Sequence, residues 1–247
     1  MAAPITVFHV SDLHFGQEDR TALAWFADEV ARDQPAMVIC TGDLTMHGSA
    51  RQFAMAHEWL AALPVPVTLE PGNHDVPYYH HMLRRLTRPY GHYRALAKAL
   101  EGPRHSGDLA VVALKTVARA QFRLNWSKGR VGNDALDSAL RDLETHGACP
   151  LRLVACHHPL IDADTKSSGQ TRGGRRALAA LARAGAQAVL SGHVHDAFDL
   201  MVEADGLPIR LIGAGTLSKR LRSSPPGYNR LEWSADTGLR VEQVRLN

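Results

Sequence analysis

Sulfur is scarce in this chain, and the scarcity excludes two chemistries. The 247 residues include three cysteines, Cys40, Cys149 and Cys156. An odd number without C-x-x-C spacing argues against a disulfide framework and against a zinc knuckle. Long apolar runs are missing too, none approaching the ~18 residues that a membrane span needs. The opening MAAPITVFHVSD lacks a basic stretch and reaches polar Ser11 and Asp12 too soon for a signal peptide, so a cytoplasmic protein is expected. A large excess of one charge is also absent. Lys and Arg number 28 against 25 Asp and Glu, a formal net charge of +3, and the basic residues are spread along the chain. That leaves no arm for nucleic acid, while mild basicity suits a small anionic substrate. With neither an internal repeat nor a linker, residues 1–247 are expected to form one domain; whether it is a homo-oligomer stays open.

What the chain has in abundance is histidine, 14 residues. It also has short, β-branched apolar runs: ITVFHV (5–10), AMVIC (36–40), VPVTL (65–69), LAVVAL (109–114), LRLVAC (151–156) and AQAVL (186–190). Apolar character without strict alternation predicts strands covered on both faces. Helical spacing lies between them. Leu23, Phe26, Ala27 and Val30 form one stripe, and Phe53, Ala56, Leu60 and Leu63 a second. Asn133 reads as the N-cap of a third helix carrying Leu136, Leu140 and Leu143, and 177–184 reads as a fourth. The tail differs, with one hairpin expected to turn at Asp205-Gly206 and another at Asp236-Thr237-Gly238. A layered α/β fold with a mixed sheet follows. Residues 77–105, rich in His, Tyr and Arg, read as a helical insertion beside the active edge.

Nearly every early strand ends in a polar cluster. SDLH gives Asp12 and His14, TGD gives Asp43, PGNHD gives Asn73, His74 and Asp75, HHP gives His157 and His158, and SGHVH gives His193 and His195. In an open α/β sheet, ligands bind beyond the carboxyl ends of the strands. Carboxylate, amide and imidazole donors without thiolate suit a pair of ions such as Mn, Fe, Zn or Co. The spacing of two in D-x-H and H-x-H is read as extended chain, in which residues i and i+2 point the same way. Singly each piece is an ordinary turn or a satisfied polar residue; in this order, each at a strand end, they form a set.

The series D-x-H (12, 14), G-D (42, 43), G-N-H-D (72–75), H-H-P (157–159) and G-H-x-H (192–195) resembles the calcineurin-like metallophosphoesterase superfamily across positions 5–216. Within it, SDLHFG, GDLT and AGTLSKRLRSSPPGYN are similar to bacterial class III cyclic-nucleotide phosphodiesterase-like members. The resemblance implies a four-layer α/β/β/α sandwich with mixed sheets and a dinuclear centre. It implies that Asp12, His14 and His195 bind one metal and Asn73, His157 and His193 the other, with Asp43 bridging. Two such ions, ~3.5–4 Å apart, clamp the oxygens of a phosphorus centre during in-line displacement. His74 is left to donate a proton to the leaving oxygen or to stabilise charge, with Asp75 as its orienter.

Other residues near the motifs carry weaker readings. His158 reaches phosphate or braces the ligands. Arg220 and Arg222, with Lys219, are placed as a cationic rim for the substrate. His47 lies beside the site in sequence, whereas His80, His81 and His92 read as solvated and His9 as core or sheet surface. Cys40 and Cys156 read as small buried hydrophobes. The basic run TKSSGQTRGGRR (165–176) either borders the substrate cleft or is simply solvated. The expected function is a dinuclear-metal phosphodiesterase acting on a small soluble phosphodiester, with 3′,5′-cyclic nucleotides favoured. Glycerophosphodiester or phospholipid hydrolysis, phosphoprotein dephosphorylation and a non-catalytic scaffold are the alternatives.

Overall fold

The structure is a computed structural model that describes residues 4–77, 82–118, 127–166 and 171–246. Two mixed sheets form its centre. In the first, β1 (Ile5–Val10), β2 (Met37–Cys40) and β3 (Val67–Leu69) run parallel, and β10 (Gly227–Ser234) and β11 (Gly238–Arg245) continue antiparallel in the order β11-β10-β1-β2-β3. In the second, β5 (Leu109–Ala113), β6 (Leu151–Ala155), β7 (Ala188–Ser191) and β9 (Leu207–Gly213) run parallel. The antiparallel strands β4 (His105–Ser106) and β8 (Phe198–Ala204) close its two edges. Both hairpins form, the first with Asp205 and Gly206 at φ 57° and 76°, the mirror-image turn that matches strand twist.

Strand periodicity explains the layering. Along β1, Val7 packs between the sheets with Met37, Ile39, Leu153 and Leu190, whereas Phe8 and Val10 point to the opposite side. That outer side is covered by α1 (Arg20–Asp33), α2 (Ala50–Ala61) and α4 (Gly91–Leu100). Along β6, Leu151, Leu153 and Ala155 face inward, while Val154 and Cys156 meet α5 (Asn133–Thr145) and α6 (Gly174–Arg183). The result is the expected four-layer α/β/β/α arrangement, in which strands lack polar alternation because both faces are buried.

The helices follow their stripes. Leu23, Phe26 and Val30 are buried on α1, whose N-terminus is capped by the Asp19 carboxylate accepting from the Thr21 and Ala22 amides. Ser49 caps α2 in the same way; Leu63 lies beyond the end of that helix yet reaches the same core. Asn133 is not an N-cap. Gly132 holds that position in extended conformation, no side chain caps the helix, and Asn133 is its first residue. Residues 77–105 carry α3 (Met82–Thr87) and α4, while His80 and His81 lie outside the described residues. Cys40 and Cys156 are fully buried, and burial pushes both thiols up.

Candidate metal centre

The parallel strands end side by side, and their following loops bring all seven predicted ligands together. The backbone does this by a route that alternation does not supply. Asp12, His14, Asp43, His193 and His195 have φ of 57°, 45°, 51°, 70° and 60°. Five of the eight described non-glycine residues with positive φ are therefore candidate ligands. Each such conformation costs roughly 1–3 kcal/mol and persists only where packing enforces it. The extended reading of D-x-H and H-x-H is thus corrected. Left-handed residues flank one apolar residue, Leu13 or Val194, that is driven into the core, and the two polar side chains turn the other way. Gly42, at φ 103°, turns where an added Cβ would lie 2.7 Å from the Gly72 nitrogen and 2.8 Å from His157 Nδ1.

Two groups of donors result. In one, Asp12 Oδ1 lies 3.1 Å from His195 Nε2 and 3.6 Å from His14 Nε2, and the two Nε2 atoms are 3.2 Å apart. In the other, His157 Nε2 is 3.2 Å from Asn73 Oδ1, and the His193 ring centre is 5.2 Å from that of His157. Asp43 stands between them, its Oδ2 3.4 Å from His157 Nε2 and 3.7 Å from His14 Nε2. The tautomers suit coordination. His195 Nδ1 donates to the Arg220 carbonyl at 2.6 Å and His157 Nδ1 to the Thr41 carbonyl at 2.8 Å, so each Nε2, once deprotonated, aims its lone pair into the cluster.

The charge balance also fits a metal pair. Asp12 and Asp43 are buried, and burial opposes their ionisation. Even so, surrounding imidazoles hold both well below the usual carboxylate range, His195 foremost for Asp12 and His157 for Asp43. Burial disfavours a charged His157, but Asp43 overrides it by charge and hydrogen bond and holds it at about 9. His195 is raised in the same sense, against burial, by Asp12. His193 goes down to about 3, by burial and then by the charge of His157. Two buried carboxylates thus each recruit a cation. Among the described residues, Asp12 Oδ1 and His14 Nδ1 nevertheless meet no partner in hydrogen-bond geometry, an arrangement that a buried site tolerates where an ion completes it.

Residues 5–197 match the calcineurin-like phosphoesterase family. The chain belongs to that family. That family depends on a dinuclear metal centre, and this chain is a phosphoric ester hydrolase whose His and Asp clusters could hold metal. A probable cyclic nucleotide phosphodiesterase of Synechococcus sp. is 24% identical over 253 residues, covering 98% of this chain and 92% of the relative. A glycerophosphodiester phosphodiesterase of Enterobacter lignolyticus is 32% identical over 78 residues, 27% of this chain and 28% of its own. Among solved structures, a dimetal phosphatase from Danio rerio shares the fold, with a TM-score of 0.66 at 12% identity and coverage of 98% and 99%.

Around the phosphoesterase centre, several expectations change. Asp75 does not orient His74. Its buried carboxylate accepts from the Leu44, Thr45 and Gly72 amides and from Thr45 Oγ1 at 2.9–3.1 Å, because the turn that closes from Gly72 to Asp75 aims it back under the Asp43 loop. Burial, and next the Asp43 charge, push its pKa up to about 7, while the amide donors pull it down. His74 is oriented instead by the Met46 carbonyl, 2.8 Å from its Nδ1. His158 is buried with both ring nitrogens engaged, Nδ1 with Thr116 Oγ1 at 3.0 Å and Nε2 with the Ser127 carbonyl at 2.8 Å. It therefore braces the loops and has no donor to offer a phosphate. Arg220 does reach the centre. Its Nη1 lies 3.1 Å from His74 Nε2 and 3.3 Å from His14 Nε2, whereas Arg222 is exposed. His9 is a buried sheet residue between Thr41 and Asn229, and burial lowers it to about 3.

Sequence reasoning missed the supports. Thr216 Oγ1 donates to the Asp12 carbonyl, and Asp196 accepts from the Ser223 amide and hydroxyl, fixing the loop that carries Arg220. The signal for Asp196 was its position directly after the last histidine motif, and for Thr216 its position within AGTLSKRLRSSPPGYN.

Proposed function

We propose that this phosphoesterase hydrolyses small phosphodiesters, with 3′,5′-cyclic nucleotides the favoured substrates. Asp12, His14 and His195 would hold one metal ion, Asn73, His157 and His193 the second, and Asp43 would bridge. The oxygen and imidazole donor set suits Mn, Fe, Zn or Co. Bound there, the ions would supply Lewis-acid stabilisation of the phosphoryl oxygens. One observation carries the reading: Asp43 Oδ2 stands within 3.7 Å of an imidazole nitrogen from each donor group.

The chain's own residues have distinct tasks. With Nδ1–H committed to the Met46 carbonyl, His74 presents Nε2 to the space beside Asp43; in its protonated form it donates there to a leaving or non-bridging oxygen. Arg220 adds a fixed positive charge at the same point, matched to a phosphoryl oxygen. A diester's alkoxide leaving group is a strong base, so a donor at that position has most effect on such substrates. The relative named as a cyclic nucleotide phosphodiesterase, aligned over nearly the whole chain, supports the cyclic substrate. The local likeness to a glycerophosphodiester phosphodiesterase supports a second reading, a linear glycerol diester. The test is a panel of phosphomonoesters, linear diesters and cyclic nucleotides with Mn-loaded protein. Highest kcat/KM on a cyclic nucleotide is expected; preference for a monoester would overturn the assignment.

A further inference from the structure

A cleft of about 950 Å³ opens beyond the carboxyl end of β5, on the side of α5 and α6. Its volume falls within the ~300–1,000 Å³ typical of ligand pockets. Four cations line it: Lys115, Arg130, Arg172 and Arg176. The three arginines have no carboxylate partner among the described residues, and each is exposed along the cleft. Lys115 Nζ lies 3.8 Å from the Tyr90 ring centre, a cation–π contact that places it. Two carboxylates face these cations. Glu70 is paired with Arg104 at 2.7 Å, and burial pushes its carboxyl up to about 7, so it is not a full fixed negative charge. Asp134 sits in the first turn of α5, where it offsets the helix dipole. The first turns of α5 and α6 border the cleft, and neither has a side-chain cap, so their amides add to the cationic lining.

The cleft adjoins the metal centre. Lys115 and Val117 flank Thr116, whose Oγ1 is 3.0 Å from His158 Nδ1; the His158 ring is 4.7 Å from that of His157 and 4.5 Å from that of His193. Glu70 precedes Asn73 by three residues, so their Cα atoms are at most ~11 Å apart. A ligand of nucleotide size spans that interval.

We propose that this cleft binds a second anionic, phosphate-like group of the substrate whose diester lies at the metal centre. The inference rests on the diesterase reading but departs from its cyclic preference, since an unsubstituted 3′,5′-cyclic nucleotide has no second phosphate and the cleft favours a diester that carries one. The preferred substrates carry a further phosphate on the part remote from the scissile bond, and the basic run at 165–176 borders the cleft through Arg172 and Arg176. The guanidiniums bind that group through charge-assisted hydrogen bonds.

The test uses metal-loaded protein and thymidine 5′-(4-nitrophenyl phosphate) with and without a 3′-phosphate, which share one scissile bond and one leaving group. The wild type is expected to favour the 3′-phosphorylated ester at least tenfold in kcat/KM. The combined Arg130→Ala, Arg172→Ala and Arg176→Ala variant, checked for an unchanged melting temperature, is expected to bring that ratio close to one. No preference in the wild type, or a preference the triple variant keeps, overturns the proposal. So does a cleft that responds only to added pyrophosphate, which would be an effector site. If neither ester turns over, the diesterase reading fails only where the cyclic nucleotides are not hydrolysed either. The cleft is then read by calorimetry, as the affinity ratio of thymidine 3′,5′-bisphosphate to thymidine 5′-phosphate. A ratio that falls in the triple variant supports an anion subsite, and an unchanged ratio rejects it.

Discussion

Arg220 Nη1 lies 3.1 Å from His74 Nε2, so a guanidinium and an imidazole from loops 146 residues apart share one point beside Asp43. The arginine is held from behind, since its own carbonyl accepts from His195 Nδ1 at 2.6 Å. A fixed positive charge there attracts a phosphoryl oxygen and also favours a neutral His74 until the anion arrives. Burial first, with the Arg220 charge contributing, lowers the His74 pKa. Arg220→Ala is expected to raise KM for diesters and lower kcat, together about 10²-fold in kcat/KM. Lysine at 220 should recover part of the loss, and Arg222→Ala should matter far less. Equal effects at 220 and 222 would remove Arg220 from the site.

Asp75 makes a separate prediction. Its carboxylate satisfies three buried amides and a hydroxyl, and an unsatisfied buried donor costs ~1–3 kcal/mol. Asp75→Ala is expected to destabilise the fold by several kcal/mol, and to weaken metal binding because the Asp43 loop loses its brace. Asp75→Asn, which keeps one acceptor oxygen, should lie between. Thermal melts of metal-loaded protein read the first effect and elemental analysis the second. If Asp75→Ala melted like the wild type, the bracing role would be wrong.

The donors were legible in sequence because each lies in a short motif directly after an apolar run, and strand ends are where such a fold places ligands. Their conformation was not legible. Left-handed Asp12 and His14 are enforced by core burial of Leu13 and by the neighbouring Asp43 loop, contacts that no local spacing encodes. Asp75 was misread, and His158 was left between two roles, for the same reason. Their partners, at Leu44, Thr45, Thr116 and Ser127, come from distant segments, so their chemistry is decided by tertiary packing. Arg220 was found as part of a basic rim, but only the fold separates it from exposed Arg222.

The pH response of metal-free protein follows from His157. Its folded pKa, about 9, is above the ordinary 6.5. That stabilisation is fully present below pH 6.5 and is lost as pH rises through about 9. At 1.36 kcal/mol per unit it amounts to about 3 kcal/mol. His195 is raised in the same direction. Metal-free protein should therefore melt several degrees lower at pH 9.5 than at pH 6.5. Metal-loaded protein should respond oppositely on the acid side, because metal must displace the His157 proton and binds better as pH rises. A metal-free melting temperature flat across this window would contradict the charge balance described for the centre.

Bridging predicts an asymmetry between metal-site variants. Asp43 faces both donor groups, whereas Asn73 meets His157 in the second. Asp43→Asn is expected to lose more than one of the two ions by elemental analysis, and Asn73→Ala about one, with partial recovery at high metal concentration. Equal losses would mean that Asp43 serves a single ion.

His74 offers the finest separation of roles, since it neighbours Asn73 in sequence yet is assigned no metal. Its Nδ1 is committed to the Met46 carbonyl, and its Nε2 stands 4.0 Å from Asp43 Oδ2, on the side shared with Arg220. His74→Ala should keep both ions and lose roughly 10²–10⁴-fold in kcat, the span of general-acid and charge-stabilising contributions. The two contributions divide by leaving group. A nitrophenolate departs as a weak base and needs little proton donation, so the loss on bis(4-nitrophenyl) phosphate should be much smaller than on a cyclic nucleotide. A loss equal on both substrates would leave His74 only charge stabilisation, and a variant that sheds metal would make it a ligand.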